Sequence, residues 1–219
     1  MDFSNARRHM IDSQILPNKV TDVRIIDAMS TVPREIFVPD IYQGTSYVDE
    51  ALRIVEGRYI MEPMIVAKLL QHAEPKEEDL ALIIGCGTGY TAAILSSLVA
   101  TIIVVESNAL LVEKATDVLL DLKIDNVAII EGELCKGCVK QGPYNVIIFD
   151  GSIPQVPQPI IDQLEEGGRL VAVVNPESER ELGNGIVMTR FHNAISSIEQ
   201  FQAGTPMLPG FDTDTSFIF

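Results

Sequence analysis

Basic residues are scarce in this chain of 219 residues: 16 lysines and arginines stand against 31 acids, a formal charge of -15 at pH 7. The mean field repels polyanions, which excludes nonspecific nucleic-acid binding and docking on anionic membranes as expected roles. Cysteine is scarce too. With three in total, Cys86, Cys135 and Cys138, any disulfide scheme leaves one unpaired, which suits a reducing compartment. Cys135-Lys-Gly-Cys138 has redox or half-zinc spacing, but no second pair follows and His9, His72 and His192 are scattered, so it reads as an incidental loop pair. Long apolar runs are missing: Leu98 to Val105, broken by Thr101, is too short for a bilayer, and Met1 to Arg8 lacks the apolar stretch of a signal segment. The expectation is a cytoplasmic protein. What the chain does have is 47% hydrophobic and 21% charged residues, enough apolar content for one large core.

Up to about Glu74 the pattern is helical with breaks. Thr21 is placed to cap a helix carrying Val23, Ile26, Met29 and Val32 before Pro33 stops it. From Leu80 onward short apolar runs alternate with helical patterns: Leu80 to Ile84, Thr91 to Val99, Thr101 to Val105, Ala109 to Leu120, Val127 to Ile130, Val146 to Phe149, Ile160 to Leu164 and Leu170 to Val174. That rhythm predicts βαβ units and a parallel sheet covered on both faces. Gly185 to Phe191 and Ile195 to Phe201, joined around His192-Asn193-Ala194, predict a closing hairpin. The expected organisation is an N-terminal helical extension or lid over residues 1–74 and one compact cofactor-binding unit over 75–219.

The densest signal is Leu80-Ala-Leu-Ile-Ile-Gly85-Cys-Gly87-Thr-Gly89-Tyr90, a strand running into three alternating glycines, with Glu106 at the end of the next strand. Glycine lets the backbone turn tightly and approach a ligand, and the helix beginning near Tyr90 is expected to present free N–H groups to an anionic group. Glu106 is the residue type that accepts two ribose hydroxyls. Tyr90 occupies the place of the third glycine of the dinucleotide fingerprint, so a pyrophosphate fits poorly and a carboxylate-bearing adenosine ligand fits better.

Gly85-Cys-Gly-Thr-Gly-Tyr90 with Glu106 resembles the cofactor motif of class I S-adenosylmethionine-dependent methyltransferases. Arg8 to Gln14, Val32-Pro-Arg-Glu-Ile-Phe-Val-Pro39, Tyr47 to Leu52, Gly57 through Pro63 to Ala67, Asn126-Val127, Gly132-Glu133 and Gln163 to Val171 resemble the protein-L-isoaspartate O-methyltransferase family. The resemblance implies a Rossmann-like, mostly parallel seven-stranded sheet with helices on both faces and a C-terminal antiparallel hairpin. It also implies S-adenosylmethionine as cofactor and isoaspartyl residues of damaged peptides or proteins as acceptors, with no nucleic-acid or membrane partner; the oligomeric state stays open. Carried over, Gly85, Cys86, Gly87, Thr88 and Gly89 hold the methionine end, Glu106 takes the ribose, Glu133 and Leu134 flank adenine, and Ser107 and Gly132 complete the cofactor-binding set. Arg58, Met61, Glu62 and Asp150 border the acceptor.

This chain departs from the family pattern in places. Met61 replaces a serine that lines the acceptor carboxylate, and Glu62 adds negative charge there, a repulsion of roughly 1–4 kcal/mol at 4 Å depending on the dielectric. Arg58 is the candidate to offset it through a bidentate contact, or it is a solvated loop arginine. Ile83 stands where the superfamily has an acid supporting the cofactor. Asp150 could ligate a metal, but no partnering carboxylates are spaced for it, and no metal is expected. His9, beside Arg7 and Arg8, reads as a surface histidine or a substrate contact. The apolar stretches Pro206 to Phe211 and Ser216 to Phe219 are expected to pack back on the sheet or on another subunit. A catalytically silent binding or scaffold protein on the same fold is the rival reading; a nicotinamide-dependent oxidoreductase is a weaker one, because the glycine spacing is wrong.

Overall fold

Alternation of side chains along four strands builds the molecule's two cores, and a computed structural model describing residues 2–175, 182–192 and 194–211 shows how. Strands β3 (Leu80–Ile84), β4 (Thr101–Glu106), β5 (Val127–Glu131), β6 (Tyr144–Ile153), β7 (Leu164–Val174), β8 (Gly183–Phe191) and β9 (Ala194–Ala203) form one sheet in the order β5-β4-β3-β6-β7-β8-β9. Pairings from β5 through β7 are parallel, and β8 runs antiparallel to both neighbours, giving the expected edge hairpin. Ala81, Ile83, Ile102, Val104, Val146, Ile148, Val171 and Val173 face one core; Leu82, Ile84, Ile103, Val105, Ile147, Phe149, Leu170 and Ala172 face the other. A strand buried on both sides reads as a continuous apolar run, which is why these stood out.

The first core is covered by α1 (Phe3–Met10), α2 (Val23–Thr31), α3 (Pro63–Ala73), α4 (Tyr90–Leu95) and α5 (Ala109–Asp121), which contribute Met10, Met29, Leu69, Ala92 and Leu111 among others. The second is covered thinly, by the single turn α6 (Gln158–Ile161), a 3-10 turn at Leu134–Lys136, and Leu208 and Phe211 from the C-terminal stretch. A two-stranded hairpin, β1 (Leu52–Val55) with β2 (Arg58–Ile60), stands apart from the sheet.

Several expectations need correcting. Asp22, not Thr21, caps α2, its Oδ1 accepting from Arg24 N at 2.9 Å, because the helix starts at Val23 and the Thr21 hydroxyl is turned to Gln71 Oε1. The helix expected over Thr91 to Val99 ends at Leu95, and Leu164 of the expected Ile160 to Leu164 helix already begins β7. Strand β6 outruns its apolar core because Ser152 gains a neighbour: Ser152 N donates to Pro206 O at 3.0 Å and Leu208 N to Ser152 O at 2.8 Å. Pro206 to Phe211 thus packs back on the sheet, whereas Ser216 to Phe219 and Asn193 of the hairpin turn lie outside the described residues.

Candidate active site

The carboxyl ends of β3, β4 and β6 converge where the chain order reverses about β3, the place where open α/β sheets bind ligands. Gly85 sits at φ 78° and Gly89 at φ 97°, left-handed conformations that disfavour other residues. A Cβ at Gly85 would lie 2.7 Å from Leu208 Cδ2, so the turn has no room for bulk. The helix that follows is only six residues, and within the turn before it the Gly87 N–H is donated to Glu106 Oε2 at 3.0 Å.

Glu106 is fully buried at the tip of β4. Besides Gly87, it accepts at Oε1 from Ser107 N at 2.8 Å, from Asn108 N at 3.0 Å and from Arg58 Nη1 in a short ion pair. Three of these four donors crowd Oε1, and Oε2 takes Gly87 alone. Arg58 Nη2 donates to Gly85 O at 2.9 Å. Arg58, expected beside the acceptor, spends its guanidinium on Glu106 and Gly85 O, and a guanidinium 4% exposed is no solvated loop arginine. Burial is what selects this contact: β2 points the side chain inward, and an unpaired buried cation would be costly.

The residues expected on the acceptor side lie next to it. Met61 is buried and its carbonyl accepts from Arg34 Nη2 at 2.7 Å; Arg34 Nε donates to Ser46 O at 2.7 Å, and its guanidinium stacks 4.7 Å over the Tyr90 ring. Burial pulls the Arg34 pKa down, opposed by Tyr90, Asp150 and Glu62. Glu62 precedes α3 with Oε2 buried and without a hydrogen bond, and its carboxyl is pushed up, first by burial and then by Asp49, against a pull from Thr205 and Arg34. Asp150 Oδ1 accepts from Thr91 Oγ1 at 2.6 Å, and burial raises its pKa to about 6, the Thr91 hydrogen bond and the charges of Arg58 and Arg34 opposing. Among the described residues no group of three His, Cys, Asp or Glu could hold a metal.

The Asp150 shift makes a measurable prediction. Folded chains hold a proton there up to about pH 6 that unfolded chains release near the ordinary 3.8, so this group's stabilisation falls as pH rises between those values, by about 3 kcal/mol in all. Asp150→Asn, which keeps an oxygen for Thr91, is expected to lose that limb and to gain on the wild type at pH 7. Urea midpoints from pH 4 to 7.5 check it; a wild-type-minus-variant difference independent of pH refutes it.

The other expected cofactor residues divide. Cys86 is buried with its thiol pushed well up by burial and then by Glu106 and Asp150, which keeps it from acting as a nucleophile. Thr88 spends its hydroxyl on Phe37 O at 2.6 Å, tying the turn to the Val32–Pro39 segment. Gly132 N donates to Glu106 O at 3.0 Å, Glu133 is exposed and pairs with Lys136 at 2.6 Å, and Leu134 packs into the second core. Ile83 points into the first core, away from the cleft. Ile54, Thr91, Thr205 and Leu208 were not foreseen: Ile54 Cδ1 lies 2.8 Å from where a Gly87 Cβ would stand. Ile54, Thr205 and Leu208 reach the site from distant segments, whereas Thr91 directly follows the glycine turn and was within reach. Arg34, inside the family-like Val32–Pro39 stretch, was within reach of sequence reasoning.

S-adenosylmethionine needs acceptors for hydroxyls and an ammonium and a wall without bulk; Glu106, Gly85 O and the glycine turn supply them, so the chemistry fits, while Arg58 and Leu208 fill the space. Residues 5–198 match the model of the protein-L-isoaspartate(D-aspartate) O-methyltransferase family. The protein-L-isoaspartate O-methyltransferase of Methanoculleus marisnigri is 36% identical over 176 residues, 80% of either chain, and that of Koribacter versatilis 38% identical over 176 residues, 80% of this chain and 79% of its own. A solved protein-L-isoaspartate O-methyltransferase superposes with a TM-score of 0.79 at 23% identity, covering 94% of this chain and 67% of that one. A Plasmodium falciparum structure described as a member of the same group, in complex with S-adenosyl-L-homocysteine, gives 0.76 at 19%, covering 96% and 99%. The structural likeness shows the fold; the family match and these sequence relatives show that the chain belongs to the protein-L-isoaspartate(D-aspartate) O-methyltransferase family.

Proposed function

We propose that this chain transfers a methyl group from S-adenosylmethionine to the carboxylate of isoaspartyl residues in damaged proteins, as a cytoplasmic enzyme. The observation that carries the reading is Glu106, buried at a strand tip against a bulk-free glycine turn, in a chain of this family. When bound, the cofactor supplies an electrophilic methyl whose bond electrons return to sulfur as the acceptor oxygen forms the ester. The acceptor carboxylate, with a pKa of roughly 4, needs no base at neutral pH. The protein's work is placement and exclusion of water. Glu106 and Gly85 O orient the ribose and the ammonium, and Leu208 closes the cleft over the turn. Asp150, held by Thr91 and with a pKa raised by burial to about 6, is largely ionised at pH 7, so the acceptor carboxylate needs a cation beside it. Residues 1–74 act as the acceptor-side lid.

No helix of the described residues is long and apolar enough to cross a membrane. The Arg58–Glu106 pair favours a second reading, a binding protein that has lost turnover. Methyl ester formation on an isoaspartyl peptide and on its aspartyl isomer decides: selective labelling of the first is expected, and equal or absent labelling of both rejects the enzyme reading.

A further inference from the structure

The β1–β2 hairpin and the C-terminal strap meet over the glycine turn and leave a cavity of about 10 Å3 between Arg58, Met61, Asp150, Thr205 and Leu208. That is room for roughly one water, where ligand sites run to about 300 Å3 or more. Arg58 holds the two acceptors that the cofactor's hydroxyls and ammonium require, Glu106 and Gly85 O, so its guanidinium stands in for the ligand. It is also the one cation among the described residues lining that cavity, beside Asp150. An acceptor carboxylate entering there meets like charge unless a cation accompanies it, and a planar fork suits a carboxylate. Leu52, Ile54 and Ile60 anchor the hairpin in the first core, and its ladder is irregular between Arg53 and Val55, so release of Arg58 asks for a side-chain swing and not for the strands to leave.

We propose that Arg58 is handed over: in the resting chain it pairs with Glu106 and Gly85 O, the cofactor displaces it, and the freed guanidinium then binds the acceptor's carboxylate. This rests on the methyltransferase reading above. It makes Arg58 the residue that selects an anionic acceptor in a chain carrying Met61, and it makes acceptor binding depend on prior cofactor binding. Any fraction of time spent closed weakens apparent cofactor affinity by that fraction, about tenfold if nine molecules in ten are closed.

Calorimetric titration of S-adenosyl-L-homocysteine into the full chain tests the first half. Arg58→Met keeps the stem but frees both acceptors, and Glu106 retains its three backbone donors; Kd is expected to fall about tenfold relative to wild type. Titration of an isoaspartyl peptide tests the second half: wild type is expected to bind it about tenfold more tightly with S-adenosyl-L-homocysteine present, and Arg58→Met to lose that gain. Arg58→Lys, a single point charge, is expected between the two in both titrations and serves if Arg58→Met melts below the assay temperature. Unchanged cofactor affinity in the folded variants, or peptide affinity indifferent to cofactor in wild type, overturns the hand-over while the methyltransferase reading stands. No heat with S-adenosyl-L-homocysteine in any form, together with no methyl transfer, overturns both.

Discussion

Glu106→Ala is expected to abolish S-adenosyl-L-homocysteine binding and to destabilise the fold by about 3–5 kcal/mol, the largest effect of any single truncation at this site. The carboxylate is fully buried and gathers the Arg58 guanidinium and three backbone N–H groups, from Gly87, Ser107 and Asn108. Removing it strands a buried cation, and each N–H left without an acceptor costs about 1–3 kcal/mol where water cannot reach. Ser107 is exposed and Asn108 half-buried, so both recover partners from solvent and the cost falls mainly on Arg58 and Gly87. Glu106→Gln separates shape from charge. It keeps the volume and one acceptor oxygen, but its amide faces a cation and N–H donors, so binding is expected to stay lost while part of the stability returns. Denaturant titration and calorimetry on the two variants measure this; an alanine variant within about 1 kcal/mol of wild type contradicts the buried-pair account.

The contrast between this carboxylate and its partner shows what the sequence makes legible. Glu106 was readable because it ends an apolar run one crossover after a glycine turn, a local pattern whose geometry parallel sheets repeat. The strands were readable for the same reason: Leu80 to Ile84 matches β3 residue for residue, since both its faces are buried. Arg58 was visible as a residue but its contact with Glu106 was not, because the guanidinium's destination depends on β1 and β2 folding over the turn, a long-range event. Leu208 was expected to pack somewhere on the sheet, but its seat over Gly85 follows from Ser152 pairing with Pro206 and Leu208, which no periodicity encodes. Ile83 shows the converse. Its place in the motif suggested a missing cofactor contact, yet strand alternation sends its side chain into the helix-covered core, so its consequence is packing and the cleft is narrowed by other residues.

Arg34→Met is the second substitution with a large expected effect, on the order of 3 kcal/mol of stability, and it carries a functional signature as well. Two opposing costs decide the sign. A methionine spares the burial of a charge that has no carboxylate paired to it, a gain that burial's downward pull on the Arg34 pKa already signals. Against that, Ser46 O and Met61 O lose their donors inside the protein, and the stacking over Tyr90 is reduced. Two orphaned carbonyls at about 1–3 kcal/mol each outweigh the relief, because the folded arginine is stabilised by both contacts at once. The Met61 carbonyl is the backbone joint between the β2 strand bearing Arg58 and the start of α3, so its release loosens the acceptor side before the cofactor side. The expected pattern is a raised KM for the isoaspartyl peptide with cofactor Kd nearly unchanged, and Arg34→Lys, able to reach one carbonyl but not both, in between. A loss of cofactor affinity equal to the loss of acceptor affinity shows instead that Arg34 supports the cleft as a whole, through Tyr90 and the turn that precedes it.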